Sequence, residues 1–101
     1  MTTSTSTLRT FLHREQHDAL AGAVDAAQDA GRAIPCRTYT GPRSPWLAEH
    51  SQEQRRAADL CAPCPALADC AAYALAIREA AGTWGGMTVQ DRGRHRGRVA
   101  A

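Results

Sequence analysis

The residues of this chain best suited to chemistry are its four cysteines. Three of them lie in the ten-residue segment CAPCPALADC, as Cys61, Cys64 and Cys70, and Cys36 precedes them by 24 intervening residues. A C-x2-C pair in a proline-containing turn can bring two thiolates to one metal, and one and a half turns of helix can bring Cys70 to the same side. Four thiolates that converge from three segments fit either a tetrahedral zinc site or a 4Fe-4S cluster with one cysteine on each iron.

Cysteine spacing leaves three kinds of chemistry open. An isolated first cysteine followed by a run of three is more usual for iron-sulfur ligation, whereas zinc fingers offer two close pairs. A redox dithiol would use the CAPC segment as a thiol-disulfide reductase does, but that motif normally opens a helix of a βαβ fold, and no alternating strand pattern is visible. The sequence contains no phosphate-binding glycine loop, no nucleophile elbow and no carboxylate pair at a spacing typical of catalysis. We therefore expect a protein that is not an enzyme and takes no small-molecule substrate. The cysteine spacing alone does not distinguish a zinc site from an iron-sulfur cluster.

Because the chain contains few large apolar residues, we expect its cysteines to contribute to the stability of the fold. The chain has 101 residues, and 21 of its hydrophobic residues are alanine. A single small domain with so few large apolar side chains usually needs a metal, a cluster, disulfides or a partner for stability. No apolar run reaches signal-peptide length or the roughly 18 residues of a membrane span. We expect a cytoplasmic protein with no membrane partner, in which clustered cysteines bind metal rather than form disulfides.

The first half of the chain is predicted to contain one helix and one irregular loop. Apolar residues recur at helical spacing over residues 8–30, and Gly31 follows where a helix usually ends. Residues 34–48 contain three prolines and a glycine, which predicts a loop with little helical character that presents Cys36 near its start and Trp46 near its end.

Two further helices are predicted around the cysteine-rich segment. Ser51 with Gln54 three residues later matches a capping box, which predicts a helix that runs to Cys61. Pro65 suits the first turn of a third helix, whose apolar face ends at Gly82. The predicted fold class is all-α, a small bundle of three to four short helices around the metal centre.

The two ends of the chain are predicted to differ from the helical domain at residues 8–90. Residues 1–7 are polar and of low complexity, which predicts disorder. Residues 91–101 form a basic tail, in which Gly93 and Gly97 weaken any helix, and we expect it to be flexible until it meets DNA. Its four arginines stand beside a single acid, and they are the candidate DNA-binding residues: Arg92, Arg94, Arg96 and Arg98.

The segment CAPCPALADCAAYALAIREAAGTWGGMTVQDR resembles the core of the WhiB-like proteins of actinobacteria and their phages. That family joins a C-x2-C-P-V-x3-C pattern to a G-[VI]-W-G-G turn, and the resemblance covers roughly residues 36–92. It implies an all-helical protein around one 4Fe-4S cluster held by the four cysteines, Cys36, Cys61, Cys64 and Cys70. It also implies a transcription regulator that binds the C-terminal domain of the primary sigma factor, and whose cluster responds to nitric oxide or oxygen. A phage-encoded member is one expectation.

The resemblance also implies which residues meet the partners. The glycine-rich turn would bind the sigma factor, and the arginine tail would contact promoter DNA. Thr83 stands where the family usually has Val or Ile, and in the loop after Cys36 Tyr39 and Trp46 are the only aromatics, where the family often has paired phenylalanines. A structural zinc-binding adaptor and, further, a thiol-disulfide reductase are the alternatives. The expected partner-binding residues are Gly82, Thr83, Trp84, Gly85 and Gly86.

Overall fold

In the computed structural model, the described residues are 12–100, with side chains described to residue 96. The segment predicted to be disordered, residues 1–7, and the first residues of the predicted first helix lie outside this range. The helices are α1 (Arg14–Asp29), α2 (Pro35–Thr38), a 3-10 helix (Pro45–Leu47), α3 (Ser51–Leu60), α4 (Leu67–Ala76) and α5 (Val89–Ala100).

The all-α class predicted from the sequence is confirmed for the described part of the chain. Its only extended pairing is an isolated antiparallel bridge between Trp84 and Met87. The α-helices number five in the described residues rather than three to four, because the sequence reading missed α2 and α5. No helix between residues 12 and 100 has the length and apolar character needed to cross a bilayer.

Helix α1 ends where the sequence predicted. Gly31 takes a left-handed backbone with φ of 72°. Its N–H donates to the Gln28 carbonyl at 3.0 Å, and the Arg32 N–H donates to the Ala27 carbonyl at 2.8 Å. These two hydrogen bonds satisfy carbonyls of the last turn in a Schellman arrangement, and a glycine adopts the required conformation without steric cost.

The segment 34–48 is more helical than predicted, and its prolines explain the difference. Pro35 and Pro45 each occupy the first turn of a short helix, α2 and the 3-10 helix. A proline at that position has the helical φ already and lacks only an N–H that would have no partner in the helix. The two short helices place Cys36 and Trp46, the residues that the loop was expected to present.

Helix α3 covers the predicted residues, but the capping box predicted at its start is wrong. His50, and not Ser51, is the N-cap residue, and no side chain caps the helix. The Gln54 amide instead donates to the carbonyls of Ala48 at 3.2 Å and Glu49 at 3.0 Å, and its oxygen accepts from the Val89 N–H at 3.4 Å. This side chain therefore connects the loop before α3 to the start of α5.

Helix α4 is shorter than predicted at both ends. It begins at Leu67, after Pro65, and ends at Ala76 rather than at the glycine of residue 82. Arg78 adopts φ of 54°, and the Glu79 N–H donates back to the Ala74 carbonyl at 3.0 Å. The helix is thus closed by a left-handed residue that is not a glycine, a choice that no local sequence signal predicts.

Helix α5 contradicts the expected boundary after residue 90. Its start is a reciprocal cap, in which the Thr88 N–H donates to the Asp91 carboxylate at 3.1 Å and the Asp91 N–H donates to the Thr88 hydroxyl at 3.0 Å. This cap satisfies two backbone donors of the first turn, and the helix continues through Gly93. Residues 91–100 therefore belong to a helix that begins inside the domain.

Among the described residues, buried apolar side chains form two small clusters, as expected from the scarcity of large apolar residues. One joins Val24 and Ala27 of α1 to Ile34 and Ala66. The other joins Trp46 to Ala57 and Cys61, with Tyr39 and Leu67 packed against it. Both clusters border the region where the cysteines lie, because Cys64 packs against the first cluster and Cys61 belongs to the second.

Candidate metal centre

The cysteines converge on a cavity of about 350 Å³ between α1, α2, α4, the 3-10 helix and the glycine-rich turn. Cys36, Cys64 and Cys70 line it directly. The other lining residues are mainly apolar and include Leu20, Val24, Ile34, Trp46, Ala66, Thr83 and Trp84.

The fourth cysteine, Cys61, is buried beside this cavity. It follows the last residue of α3, and the Cys64 N–H donates to its carbonyl at 2.8 Å, which forms the turn of the C-x2-C pair. Its side chain is 8% exposed, and its Sγ accepts a hydrogen bond from Trp46 Nε1 at 3.2 Å. The sequence reading identified the ligand candidate but missed this donor, for which it offered no signal.

The electrostatics of the thiols indicate that all four lie near one another. Burial raises the pKa of the Cys36 thiol, Cys64 and Cys61 raise it further, and Arg37 opposes the rise. Burial raises the pKa of the Cys70 thiol to about 11, a hydrogen bond from the Gly85 N–H opposes the rise, and the other three cysteines add to it. Thiols whose pKa is raised by burial and by neighbouring cysteines, as at Cys36 and Cys70, would be held as thiolates by a metal centre, with release of protons on binding.

Zinc and iron-sulfur centres require different arrangements of their ligands. A tetrahedral zinc ion bound at about 2.3 Å requires its sulfur ligands within about 4 Å of one another. A 4Fe-4S cluster is a larger body that binds one cysteine at each of its four irons, and the chain supplies four free cysteines. Either centre would be held by thiolates of these residues.

The glycine-rich turn, residues 82–86, closes one side of the cavity. The Thr83 N–H donates to the Trp46 carbonyl at 2.8 Å, and Trp84 and Met87 exchange backbone hydrogen bonds at 3.1 and 2.9 Å. Gly85 has φ of 57°, and a Cβ atom there would lie 2.4 Å from the backbone nitrogen of Ala71 in α4. Only a residue without a side chain lets the turn approach α4 this closely, next to Cys70.

Trp84 lies at the rim of this cavity and is half-buried. Its Nε1 donates to the Ala81 carbonyl at 3.0 Å, and its ring lies 6.2 Å from that of Tyr73. Leu47, which lines the same cavity, is 79% exposed. An aromatic ring and an exposed leucine therefore border the same apolar opening.

The structure corrects the role expected for Arg92. Its side chain is fully buried, at 0% exposure, so its guanidinium is not available to a DNA phosphate. It donates instead to backbone carbonyls on both sides of the glycine-rich turn. The four acceptors are Glu79 at 3.3 Å, Ala81 at 3.2 Å, Gly82 at 2.8 Å and Met87 at 3.0 Å. Arg92 thus fastens α5 to the turn.

Arg94 and Arg96 are not buried, and the Arg98 side chain lies outside the described residues. Arg94 forms an ion pair with Asp91, and Arg55 of α3 contacts the same carboxylate at 3.0 Å. Burial alone would raise the pKa of Asp91, but the Thr88 N–H and the two arginines lower it to about 2. Asp91 therefore connects the start of α5 to α3.

A sequence signal existed for this helix start and was missed. Thr88 and Asp91 form a T-x-x-D pattern, which predicts a capping box as well as S-x-x-Q does. No comparable signal marks Arg92, because its burial depends on carbonyls that the turn brings together from residues 79–87.

Comparison with known proteins gives a consistent result. A family model described as transcription factor WhiB matches residues 8–94. The transcriptional regulator WhiD of Streptomyces coelicolor is 38% identical over 76 residues, which cover 71% of this chain and 68% of WhiD. The transcriptional regulator WhiB7 of Mycolicibacterium smegmatis is 41% identical over 61 residues, 60% of this chain and 56% of WhiB7. The redox-responsive transcriptional regulator WhiB3 of the same organism is 40% identical over 42 residues, 42% of this chain and 44% of WhiB3. No solved structure matches.

Proposed function

This chain belongs to the WhiB family of transcription factors, and we propose that it regulates transcription through a 4Fe-4S cluster held by its four cysteines. Like its relatives, it is a transcriptional regulator, and it is not an enzyme. The observation that carries the proposed cluster is that Cys36, Cys64 and Cys70 line one largely apolar cavity and that Cys61 is buried beside it.

The residues around the cavity support a cluster of this kind. The wall is largely apolar, and the backbone N–H of Gly85 is directed at Cys70. Hydrogen bonds to cysteine sulfur and a dry surrounding are the features by which proteins stabilise iron-sulfur clusters. When bound, the cluster would supply reactivity toward nitric oxide or oxygen.

We further propose that the glycine-rich turn, residues 82–86, binds the C-terminal domain of the primary sigma factor. The half-buried Trp84 and the exposed Leu47 offer an aromatic and an aliphatic contact at the cavity rim. Aromatic residues in partly enclosed sites carry much of the binding energy at protein interfaces. Because Cys70 and Arg92 both bond to this turn, its shape depends on the cavity and on α5 together.

In this proposal, the protein senses nitric oxide or oxygen because loss of the cluster destabilises the fold. Cys36 is the exposed member of the four, so an oxidant from solvent reaches the site on its side. Without a metal centre, the four thiols lack the common partner that joins α2, α4 and the C-x2-C turn. The sigma-binding surface would then lose its support, in the way that metal release unfolds other small metal-dependent domains.

DNA contact is proposed for the remaining arginines of the tail. Arginines on a helix can contact the phosphates of a promoter next to the sigma factor, and such contacts weaken with salt. With Arg92 removed from the set, the proposed DNA-binding residues are Arg94, Arg96 and Arg98.

The test of the proposed function is anaerobic purification with iron, sulfide and zinc analysis on one sample. We expect about four irons and four sulfides per chain, with charge-transfer absorption, as a 4Fe-4S centre requires. A Cys70→Ser variant serves as the matched control and should lose the iron and the absorption together. Zinc without sulfide, reproduced after attempted cluster reconstitution, would contradict the proposal and favour a structural zinc-binding adaptor.

A further inference from the structure

Two buried side chains that line the cavity, Trp46 and Thr83, carry hydrogen-bond donors and are not ligand candidates. The first is the indole N–H of Trp46, which lies 3.2 Å from Sγ of Cys61. Both side chains are buried, at 6% and 8% exposure. Away from water, a hydrogen bond to a sulfur that carries negative charge is stronger than the same bond at the surface.

The second donor is the hydroxyl of Thr83. This residue is 6% exposed and lines the cavity, and its Oγ1 has no hydrogen-bond partner among the described residues. A buried hydroxyl without a partner costs about 1–3 kcal/mol, and native structures seldom retain one without a reason. Its backbone N–H already donates to the Trp46 carbonyl at 2.8 Å, which fixes the backbone of this residue beside the cavity.

The chemistry of the cavity indicates what the Thr83 hydroxyl would bond. The lining is mainly apolar, and cysteine sulfur is contributed by Cys36, Cys64 and Cys70. A sulfur atom of the metal centre is therefore the acceptor that this donor is placed to meet. We propose that Trp46 and Thr83 are positioning residues that donate hydrogen bonds to sulfur atoms of the metal centre and thereby raise its reduction potential.

The direction of the effect follows from charge. Reduction adds negative charge to the sulfur atoms, and a hydrogen-bond donor stabilises the more negative state more strongly. Each donor therefore favours the reduced form. The same two bonds join the centre to the 3-10 helix and to the glycine-rich turn, since Trp46 and Thr83 belong to those segments.

This inference rests on the proposed cluster, and its test separates the two. Trp46→Phe keeps an aromatic ring in the core but removes the N–H, and Thr83→Val keeps the shape but removes the hydroxyl. In anaerobic potentiometric titrations, we expect each variant to lower the ratio of reduced to oxidised centre at a set potential about tenfold, which is about 59 mV for a one-electron couple. Thr83→Ser retains the hydroxyl and should restore the wild-type value.

A second readout does not depend on the potential. With the centre bound, Thr83→Val should resist urea less well than the wild type, because it lacks the hydroxyl that donates to the centre. Thr83→Ser should match the wild type. Equal resistance of Thr83→Val and the wild type would mean that the hydroxyl makes no bond to the centre, and would overturn its assignment.

The outcomes are distinguishable. Variants with wild-type iron and sulfide content and unchanged potentials would overturn this inference and leave the proposed cluster intact. Wild-type protein that takes up zinc and no sulfide would overturn both. If Trp46→Phe fails to fold, as judged by far-UV circular dichroism, Thr83→Val and Thr83→Ser decide the question.

Discussion

Replacing Arg92 by Met tests the structure directly. The sequence predicted that this change would weaken DNA binding, whereas the structure predicts that it destabilises the fold. The change removes a buried guanidinium that bonds to four carbonyls. The Ala81 and Met87 carbonyls keep a second donor, the ring and backbone N–H of Trp84. The carbonyls of Glu79 and Gly82 lose their tertiary donor, so the loss falls mainly on these two.

The magnitude follows from the two carbonyls left without that donor. Each costs about 1–3 kcal/mol, and the release of a buried charge offsets part of the total. We expect the free energy of unfolding to fall by about 3 kcal/mol for Arg92→Met. For a domain of this size, the melting temperature would fall by about 12–24 °C.

The assay is urea unfolding followed by far-UV circular dichroism on anaerobic protein. Arg94→Met is the matched control, because the Arg94 side chain is 54% exposed and its ion pair with Asp91 is worth less than about 1 kcal/mol. In DNA titrations, Arg94→Met should reduce the dependence of affinity on salt by about one phosphate contact. Equal stability losses in the two variants, or a stable Arg92→Met with a reduced salt dependence, would refute the buried role of Arg92.

Other predictions concern the turn, the helix start and the proposed partners. Gly85→Ala should destabilise the fold and reduce iron content, because its Cβ would clash with Ala71, whereas Gly93→Ala meets nothing within 4 Å and should stabilise α5 by up to about 1 kcal/mol, as urea unfolding would measure. The pKa of Asp91 is lowered from 3.8 to about 2, so its contribution to stability is complete above pH 3.8 and is lost as the pH falls toward 2. Acid unfolding of Asp91→Asn should lack that part of the pH dependence, and an unchanged profile would contradict the role of this carboxylate. Trp84→Ala should keep the iron and abolish capture by the sigma C-terminal domain, and unchanged capture would mean that the ring only packs. Joint replacement of Arg94, Arg96 and Arg98 by alanine should weaken DNA binding at low salt and leave sigma capture intact. Equal DNA affinity would remove the tail from the interface.

Cysteine spacing and local helix signals were sufficient to predict the all-α class, the end of α1 and the family. The C-x2-C turn and the position of Cys70 predicted thiols that converge, because those distances are set within a few residues of chain. Gly31 predicted the end of α1 for the same reason, since a left-handed residue after a helix is a local requirement. The all-α class followed from helical periodicity, and the family from a spacing joined to the glycine-rich turn.

The predictions from sequence were wrong where a residue is compatible with more than one local structure or hydrogen-bond partner. Gln54 matched a capping box, yet it bonds to the loop before α3 and to Val89, which local sequence does not bring near. Prolines 35 and 45 predicted a loop and instead begin short helices, because a proline suits either state.

What the sequence by itself determined was which groups could bind a metal and which segments could be helices. Only the tertiary structure decided which of the polar side chains face solvent and which face the interior. Arg92 and Arg94 are identical in type and stand two positions apart, but a helix turns through about 200° between them. One guanidinium therefore enters the carbonyl-lined space behind the glycine-rich turn, and the other remains in water beside Asp91.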